Sequence, residues 1–347
     1  MEIEFHDREK EIGEIRRILS YRPDSIYFVY GPINSGKSTL MDEVIKELSN
    51  EYIVFFIDLR AHVVSNVDEF YDVLFSYEIG LERKLTKFND VISYLVSSAV
   101  KVVLGFPLPE KLISKVLQRN KPKNVFTYIF TILQKLKSKG KNPVIIMDEL
   151  QTISDLKIND LLIYELFNFF VTITKRHHLA HVFAVTSDSL FIERIYNEAM
   201  LQGRCDYLLV DDFDYNTTVD FLKKHGFNKD EIELIWNYFG GKPVYLIKAI
   251  KNKHKLKEFC QESLEDRVSS ILYRVKALKR EKKDLFQRVF TIFKQFEESE
   301  TTDCDEISDE VVWTVKNNIL FLDPRKRLLK PQSRLDLLAI RKVLQEL

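Results

Sequence analysis

The chain is expected to adopt an α/β fold built on a parallel sheet, and three features of its sequence carry that expectation. The first is Ser25–Leu40, SIYFVYGPINSGKSTL, an apolar run that ends in Gly31-x-x-x-x-Gly36-Lys37-Ser38 and continues as a helical pattern. The second is a series of short, wholly apolar runs alternating with helix-length segments, which reads as strands buried on both faces. The third is Asn142–Gln151, NPVIIMDELQ, where an apolar run delivers two acids at its end.

Taken in order, Phe5–Leu19 places Ile12, Ile15, Ile18 and Leu19 at helical spacing, with Asp7 as N-cap before Arg8 and Glu9. A short helix here can line a nucleotide base. Ile26–Tyr30 is the first strand, and Gly31–Lys37 is the turn after it. Its glycines let successive N–H groups curl inward around a phosphate, and the helix opening at Ser38 adds partial positive charge. Lys37 reaches the outer phosphates and the Ser38 hydroxyl can hold Mg²⁺. Gly31, Pro32, Asn34, Ser35, Gly36, Lys37, Ser38 and Thr39 make up the candidate cradle. At average residue usage such a pattern arises by chance in roughly 1% of chains this long. With only ten glycines present the chance is lower still, so the turn reads as a nucleoside triphosphate site.

Helix Thr39–Leu48 leads to a second strand, Tyr52–Asp58. From Asp68 to about Lys139 the pattern is mostly helical, broken by Gly105–Lys111, and carries no recognisable chemistry. The third strand ends in Asp148 and Glu149, the Walker B arrangement. Asp148 would hold Mg²⁺ opposite Ser38, and Glu149 would take a proton from, or orient, the attacking water. Gln151 is a second polar group near that water. A fourth strand, Leu179–Ser187, ends in Thr186 and Ser187. Either could stand beside the γ-phosphate, and Ser187 or Ser189 could also cap the next helix. Gly203-Arg204-Cys205 precedes a fifth strand, Tyr207–Asp211. Arg204 reads as an arginine finger acting on a neighbouring subunit, or as an ion-pair partner of Asp206 or Asp211.

From Phe213 the chain turns to short helices: Thr217–His225, Asp230–Phe239 and Pro243–Lys257. Gly240-Gly241-Lys242-Pro243 forms the turn between the last two, where it would end one helix, start the next and close over the base. The C-terminal part reads as helix Lys282–Phe296, acidic loop Glu297–Asp309 and helix Glu310–Asn317. A hairpin, Ile319–Leu322 with Arg327–Leu329, then precedes a closing helix, Leu335–Leu344. That is the outline of a winged helix. Arg325, Lys326, Arg327 and Lys330 would lie on its wing, open to phosphate, although the acidic loop argues against a strongly basic face. Winged helices also dock proteins.

Composition sets the outer bounds. The 347 residues are 45% hydrophobic and 30% charged, with a formal net charge of zero, so any polyanion binding must come from a local patch. Cys205, Cys260 and Cys304 are isolated and imply neither a zinc site nor disulfides, which suits a reducing cytoplasm. His177, His178 and His181 read as surface residues before a strand rather than metal ligands. The N-terminus is charged where a signal peptide would be apolar, and Val91–Leu104 is too short to span a bilayer, so no membrane is expected.

Several of these signals recur together in one family. Phe-x-Asp-Arg-Glu at Phe5–Glu9, the phosphate loop, Asp148–Gln151, Gly203-Arg204, Gly240–Pro243 and Asn317–Ser333 resemble the archaeal ATPase family. That family lies near the AAA+ proteins and is grouped with the STAND signal-transduction NTPases. The resemblance covers nearly the whole chain. It implies a P-loop core at 1–212 with a sheet of order 5-1-4-3-2 and an insertion at about 68–139, a helical lid at 213–275, and a winged helix at 276–347. It also implies ATP rather than GTP, with Pro243 and the backbone near Arg8 contacting the base in place of the lid arginine of AAA+ proteins. Ser187-Asp188 stands where relatives often have Gly-Ser. The catalytic set is then Glu149, Lys37, Arg204 and Thr186. The expected function is a slow Mg²⁺-dependent ATPase switch exchanging ATP and ADP, which acts on an unknown protein partner or self-associates through Arg204. A DNA-acting ATPase using the wing and a nucleotide-stabilised scaffold are the alternatives.

Overall fold

The computed structural model describes residues 5–61, 64–75, 87–97, 101–112, 116, 122–154, 156 and 162–347. Parts of the 68–139 insertion therefore lie outside the described residues. Among the described residues six strands run parallel in one sheet: β1 Ile26–Tyr30, β2 Tyr52–Asp58, β3 Val102–Leu104, β4 Asn142–Asp148, β5 His181–Thr186 and β6 Cys205–Leu209. Their order is β3-β2-β4-β5-β1-β6. The five anticipated strands stand in the order 5-1-4-3-2, and β3 is an addition at the edge.

That edge strand lies in a stretch that reads as helical. The helix Phe88–Ser97 stops short of it, and Val102–Leu104 pairs with Val54–Phe56. Two flanking bonds extend the ladder, Val54 N to Lys101 O at 2.8 Å and Gly105 N to Phe56 O at 2.9 Å. A three-residue strand has too little alternation to separate from a helical run. What decides it is the outer edge of β2, whose backbone groups would otherwise go unpaired.

Alternation along the strands sorts two apolar layers onto the two faces. Val29, Val54, Val144, Ile146 and Phe183 pack with helices Glu9–Ser20 and Lys37–Glu47. Phe28, Tyr30, Phe55 and Ile145 pack on the other face with the insertion and with helices Leu162–Val171 and Ser189–Glu198. A third apolar cluster joins the C-terminal helices from Phe221 to Val343. Within it the single helix Leu256–Glu281 passes through residues 275 and 276.

The C-terminal segment carries a three-stranded antiparallel sheet of order β7-β9-β8, with β7 Thr302–Asp303, β8 Leu320–Asp323 and β9 Leu328–Pro331. β7 comes from the stretch expected to be an acidic loop. The β8–β9 hairpin sits on the C-terminal end of the parallel sheet. Phe321 stacks on Tyr30 with centroids 6.3 Å apart, and Tyr30 Oη donates to Asp323 Oδ1 at 3.0 Å. Asp323 is thus the buried end of β8. It also accepts from the Arg325 and Lys326 N–H groups.

The cysteines are free and buried, and burial pushes Cys205 and Cys260 up to about 11. His181 is not on the surface as expected. It opens β5 inside the protein, where burial lowers it to about 4. Among the described residues no helix is long and apolar enough to cross a membrane.

The Gly-Gly turn is explained by close approach. A Cβ on Gly241 would lie 1.8 Å from Phe213 O, while Phe213 N donates to Gly241 O at 3.0 Å. Gly241→Ala is therefore expected to cost about 3 kcal/mol of stability, since the clash is with backbone that cannot rotate away. Urea denaturation of the variant checks this, and a midpoint equal to wild type would contradict it.

Candidate nucleotide-binding site

The turn after β1 is shaped for a ligand by its backbone. Gly36 has φ 92° and Asn34 φ 60°, both left-handed, and Gly36 caps helix Lys37–Glu47. At Gly31 a Cβ would stand 2.1 Å from Val210 O, just beyond β6, so only glycine fits. Ser35 Oγ is buried with no hydrogen-bond partner, an orphan polar atom within the turn. Lys37 Nζ donates to the turn's own carbonyls, Gly31 O at 3.0 Å and Pro32 O at 2.9 Å. Burial lowers the Lys37 ammonium to about 8, against the upward pull of Glu149 and Asp148.

Parallel register brings the acids to this turn. Tyr30 stands opposite Thr186, Val185 opposite Asp148, and Asp148 opposite Asp58, so the C-terminal ends of four strands form one row. Ser38 Oγ donates to Asp148 Oδ2 at 2.6 Å across 110 positions of sequence. Burial pushes the Asp148 carboxyl up. These two oxygen donors suit Mg²⁺, which takes one or two protein ligands and completes its shell with phosphate and water. Among the described residues there is no cluster of three or more His, Cys, Asp or Glu that could hold a metal without a ligand's help.

Glu149 follows in a left-handed conformation, φ 57°. Its N–H donates to Asp148 Oδ1 at 3.0 Å, and Gln151 Nε2 donates to its Oε2 at 2.5 Å. Thr186 Oγ1 in turn donates to Gln151 Oε1 at 2.6 Å. Thr186 is therefore linked to Glu149 through Gln151, a residue whose role the sequence left open. The helix after β5 is capped by Asp188, which accepts from Phe191 N at 3.1 Å, and not by Ser187 or Ser189.

On the opposite side Arg8 is buried and braces the turn. Its Nη2 donates to Ser35 O at 2.8 Å and Asp211 O at 2.7 Å, and its guanidinium lies 4.6 Å from the Phe213 ring centroid. Arg8, Thr39, Phe213, Phe221 and Pro243 line one largely apolar cavity beside Ser35 and Gly36. Its place beside the turn suits a planar base attached to phosphates there.

Arg204 is not brought to this turn. Its carbonyl accepts from Ile26 N, at the start of β1, so five strand residues separate it from Gly31, roughly 15 Å. The ion pair considered with Asp211 is taken by Lys330. Lys330 therefore points inward and is not available on the wing as expected, whereas Arg325, Lys326 and Arg327 are exposed.

The contacts of four residues at and around the turn escape sequence reasoning. Lys242 is buried, pairs with Asp212 at 2.9 Å and donates to Ile33 O at 3.1 Å. Gln332 Oε1 accepts from Ile33 N at 3.0 Å. Lys330 pairs with Asp211, and Arg60 pairs with Glu149. The segments holding Lys242, Lys330 and Gln332 were already singled out by resemblance. Arg60 carries no local signal beyond following the strand that ends in Asp58.

Comparison with known proteins gives a consistent picture. Residues 5–249 match the family described as an ATPase domain predominantly from Archaea. Residues 257–344 match the C-terminal domain of MJ1010-like uncharacterized ATP-binding proteins. An uncharacterized ATP-binding protein of Pyrococcus abyssi is 50% identical over 98% of this chain and 98% of its own length. One of Methanocaldococcus jannaschii is 48% identical over 99% and 98%. Among solved structures, a Walker-type ATPase of Pyrococcus abyssi aligns with TM-score 0.60 and 16% identity over 97% of this chain and 96% of that one.

Proposed function

The chain belongs to the archaeal ATPase family, and from that premise we propose that it is a Mg²⁺-dependent ATPase working as a nucleotide-driven conformational switch. The observation that supports this reading is that one turn, Gly31–Thr39, is contacted both by hydrolytic groups and by the C-terminal hairpin. Ser38 meets Asp148, while Ile33 meets Gln332 and Lys242.

In this reading the turn's N–H groups and Lys37 hold the outer phosphates, and Lys37 leaves the carbonyls of Gly31 and Pro32 to do so. Ser38 and Asp148 hold Mg²⁺, which would neutralise charge on the phosphates. Glu149 orients the attacking water, and Thr186 fixes Glu149 through Gln151. The base lies in the cavity of Arg8, Thr39 and Pro243, with adenine as the family's base. Arg204 completes the site of a neighbouring copy. The core is residues 1–212, with the lid at 213–275 and the winged helix at 276–347 sharing the helix Leu256–Glu281 across that boundary. Because Gln332 and Lys242 hold the two backbone groups of Ile33, reshaping the turn around phosphates must change their contacts. Hydrogen exchange tests the switch. Amides at 320–334 should change protection between the ADP and ATP·Mg²⁺ states, and identical protection would contradict it.

A second reading, duplex DNA as partner, is favoured by the exposed Arg325, Lys326 and Arg327. Binding that weakens steeply with salt and is lost in Arg325→Glu/Lys326→Glu would support it; no binding at low salt removes it.

The lowered ammonium of Lys37 gives a pH prediction. Bound phosphates favour the charged form, so between about pH 8 and the ordinary lysine value the complex holds more protons than the empty protein. ATP affinity should therefore fall as pH rises above about 8, by up to about tenfold per unit, with proton uptake on binding. Titration calorimetry near pH 9 in two buffers of different ionisation enthalpy measures that uptake. Equal heats would contradict it.

A further inference from the structure

The helix Leu256–Glu281 starts in the lid and ends in the winged helix, and its 26 residues run without a break. Val275, at the boundary itself, is buried, and bending the helix there would break interior i→i−4 bonds. Apolar packing ties the same two parts together. Phe239 and Leu246 of the lid share one buried cluster with Phe293, Leu335 and Ile340 of the winged helix. The end of helix Lys229–Phe239 abuts the closing helix so closely that a Cβ on Gly240 would lie 3.3 Å from Arg334 Cβ.

Arg267, on the lid part of the long helix, fastens it to the winged helix at two points. Its Nε donates to Asp336 Oδ1 at 2.6 Å and its Nη2 to Asn318 O at 2.6 Å. Asp336 is buried in the closing helix, and Asn318 stands left-handed, φ 53°, just before β8. The planar guanidinium fork suits two acceptors at once. From Asp336 the bonds run on to the phosphate turn. Ser333 Oγ donates to Asp336 Oδ2, and Ser333 follows Gln332 directly. Gln332 Nε2 donates to Leu320 O at 3.0 Å, and its Oε1 accepts from Ile33 N at 3.0 Å.

The two ends of this network differ in strength. The winged helix holds the lid through a buried charge pair and a shared apolar cluster, and it holds Ile33 through one neutral hydrogen bond. Opening a buried pair leaves a desolvated charge behind, which costs far more than exchanging a neutral bond for one to water or phosphate. When the turn reshapes, the contact at Ile33 is the one that yields. We propose that Arg267 is a positioning residue that clamps the winged helix to the lid, so that the two move as one body and Gln332 leaves or regains Ile33 only together with the lid. This rests on the reading of bound nucleotide as a conformational switch.

Energy transfer between dyes on introduced surface cysteines tests the clamp, because Cys205, Cys260 and Cys304 are buried and escape labelling. Lys251→Cys marks the lid, Lys342→Cys the winged helix and Glu51→Cys the core, all at exposed positions. Each pair is compared with ADP and with a non-hydrolysable ATP analogue and Mg²⁺. Transfer between the lid and winged-helix sites should stay constant, while transfer between the core and winged-helix sites should shift. Arg267→Met/Asp336→Asn removes both charges and leaves no orphan ion, so the fold should survive it. In that background the lid–winged-helix transfer should become nucleotide-dependent. ATP affinity, read by fluorescent-nucleotide titration, should rise about two- to tenfold, because reshaping the turn no longer drags the lid along. A role confined to stability would lower the unfolding midpoint and leave that affinity where it was. A lid–winged-helix transfer that shifts in the chain without these two substitutions overturns the clamp and leaves the switch standing. So does a double variant whose transfer stays constant or whose ATP affinity does not rise. If neither transfer shifts between the two nucleotides, the switch reading falls and takes the clamp with it.

Discussion

In the Glu149→Gln variant, ATP turnover should drop by about a hundred- to ten-thousandfold, the usual contribution of a positioned general base. Nucleotide affinity should be kept or slightly improved. The substitution preserves shape and keeps an acceptor for Gln151, so the strand end and its left-handed residue need not move. What is lost is the carboxylate that can accept a proton. Glu149 also stands close enough to Lys37 to be the main upward influence on that ammonium, so it would be one of the anions nearest a triphosphate bound as proposed. Removing that charge relieves repulsion of a triphosphate. Phosphate release and nucleotide titration on the same preparation read both effects. Turnover within threefold of wild type would mean that another group handles the water.

The second large effect is expected at Lys37. Lys37→Met should weaken ATP binding by about thirty- to a thousandfold, the range for removing one partner of a desolvated charge pair. Stability of the empty protein should not fall with it. In the empty turn this lysine is a buried cation held by two carbonyls, with its charged form disfavoured by desolvation. Methionine has similar volume and bears no charge, so the fold exchanges a buried ammonium for an apolar chain. Thermal unfolding beside nucleotide titration separates the two readouts. A variant that loses stability and binding together would show Lys37 to be a structural residue.

Local features were legible because their physics is local. The phosphate turn announces itself through two glycines, a lysine and a serine at fixed spacing. An apolar run ending in two acids is a weak signal alone, since solvated acidic strand ends are common, and Asp148 and Glu149 gain weight only because that turn lies upstream. The sheet order follows once those two signals are joined to a family resemblance. The edge strand β3 was hidden because three residues carry no period, and only its pairing with β2 defines it.

What the sequence could not reveal is long-range pairing of polar side chains. Gln332 meets Ile33 across 299 positions, Lys242 meets it across 209, and Arg60 meets Glu149 across 89. Nothing in the spacing of these residues foretells such contacts, since they depend on where the hairpin and the strand ends come to rest. Lys330 shows the converse. Its position beside Arg325–Arg327 suggested an outward basic face, yet Asp211 draws it inward. Arg204 does come just before the last core strand, but there it sits at the far end of β1 from the turn at Gly31–Thr39.

The most direct test is a crystal structure of the Glu149→Gln variant grown with ATP and Mg²⁺. The account predicts a triphosphate inside Gly31–Thr39, Lys37 Nζ transferred from the Gly31 and Pro32 carbonyls to the outer phosphates, and a metal ion between Ser38 and Asp148. A nucleotide bound elsewhere, or an Asp148 far from the metal, would contradict it.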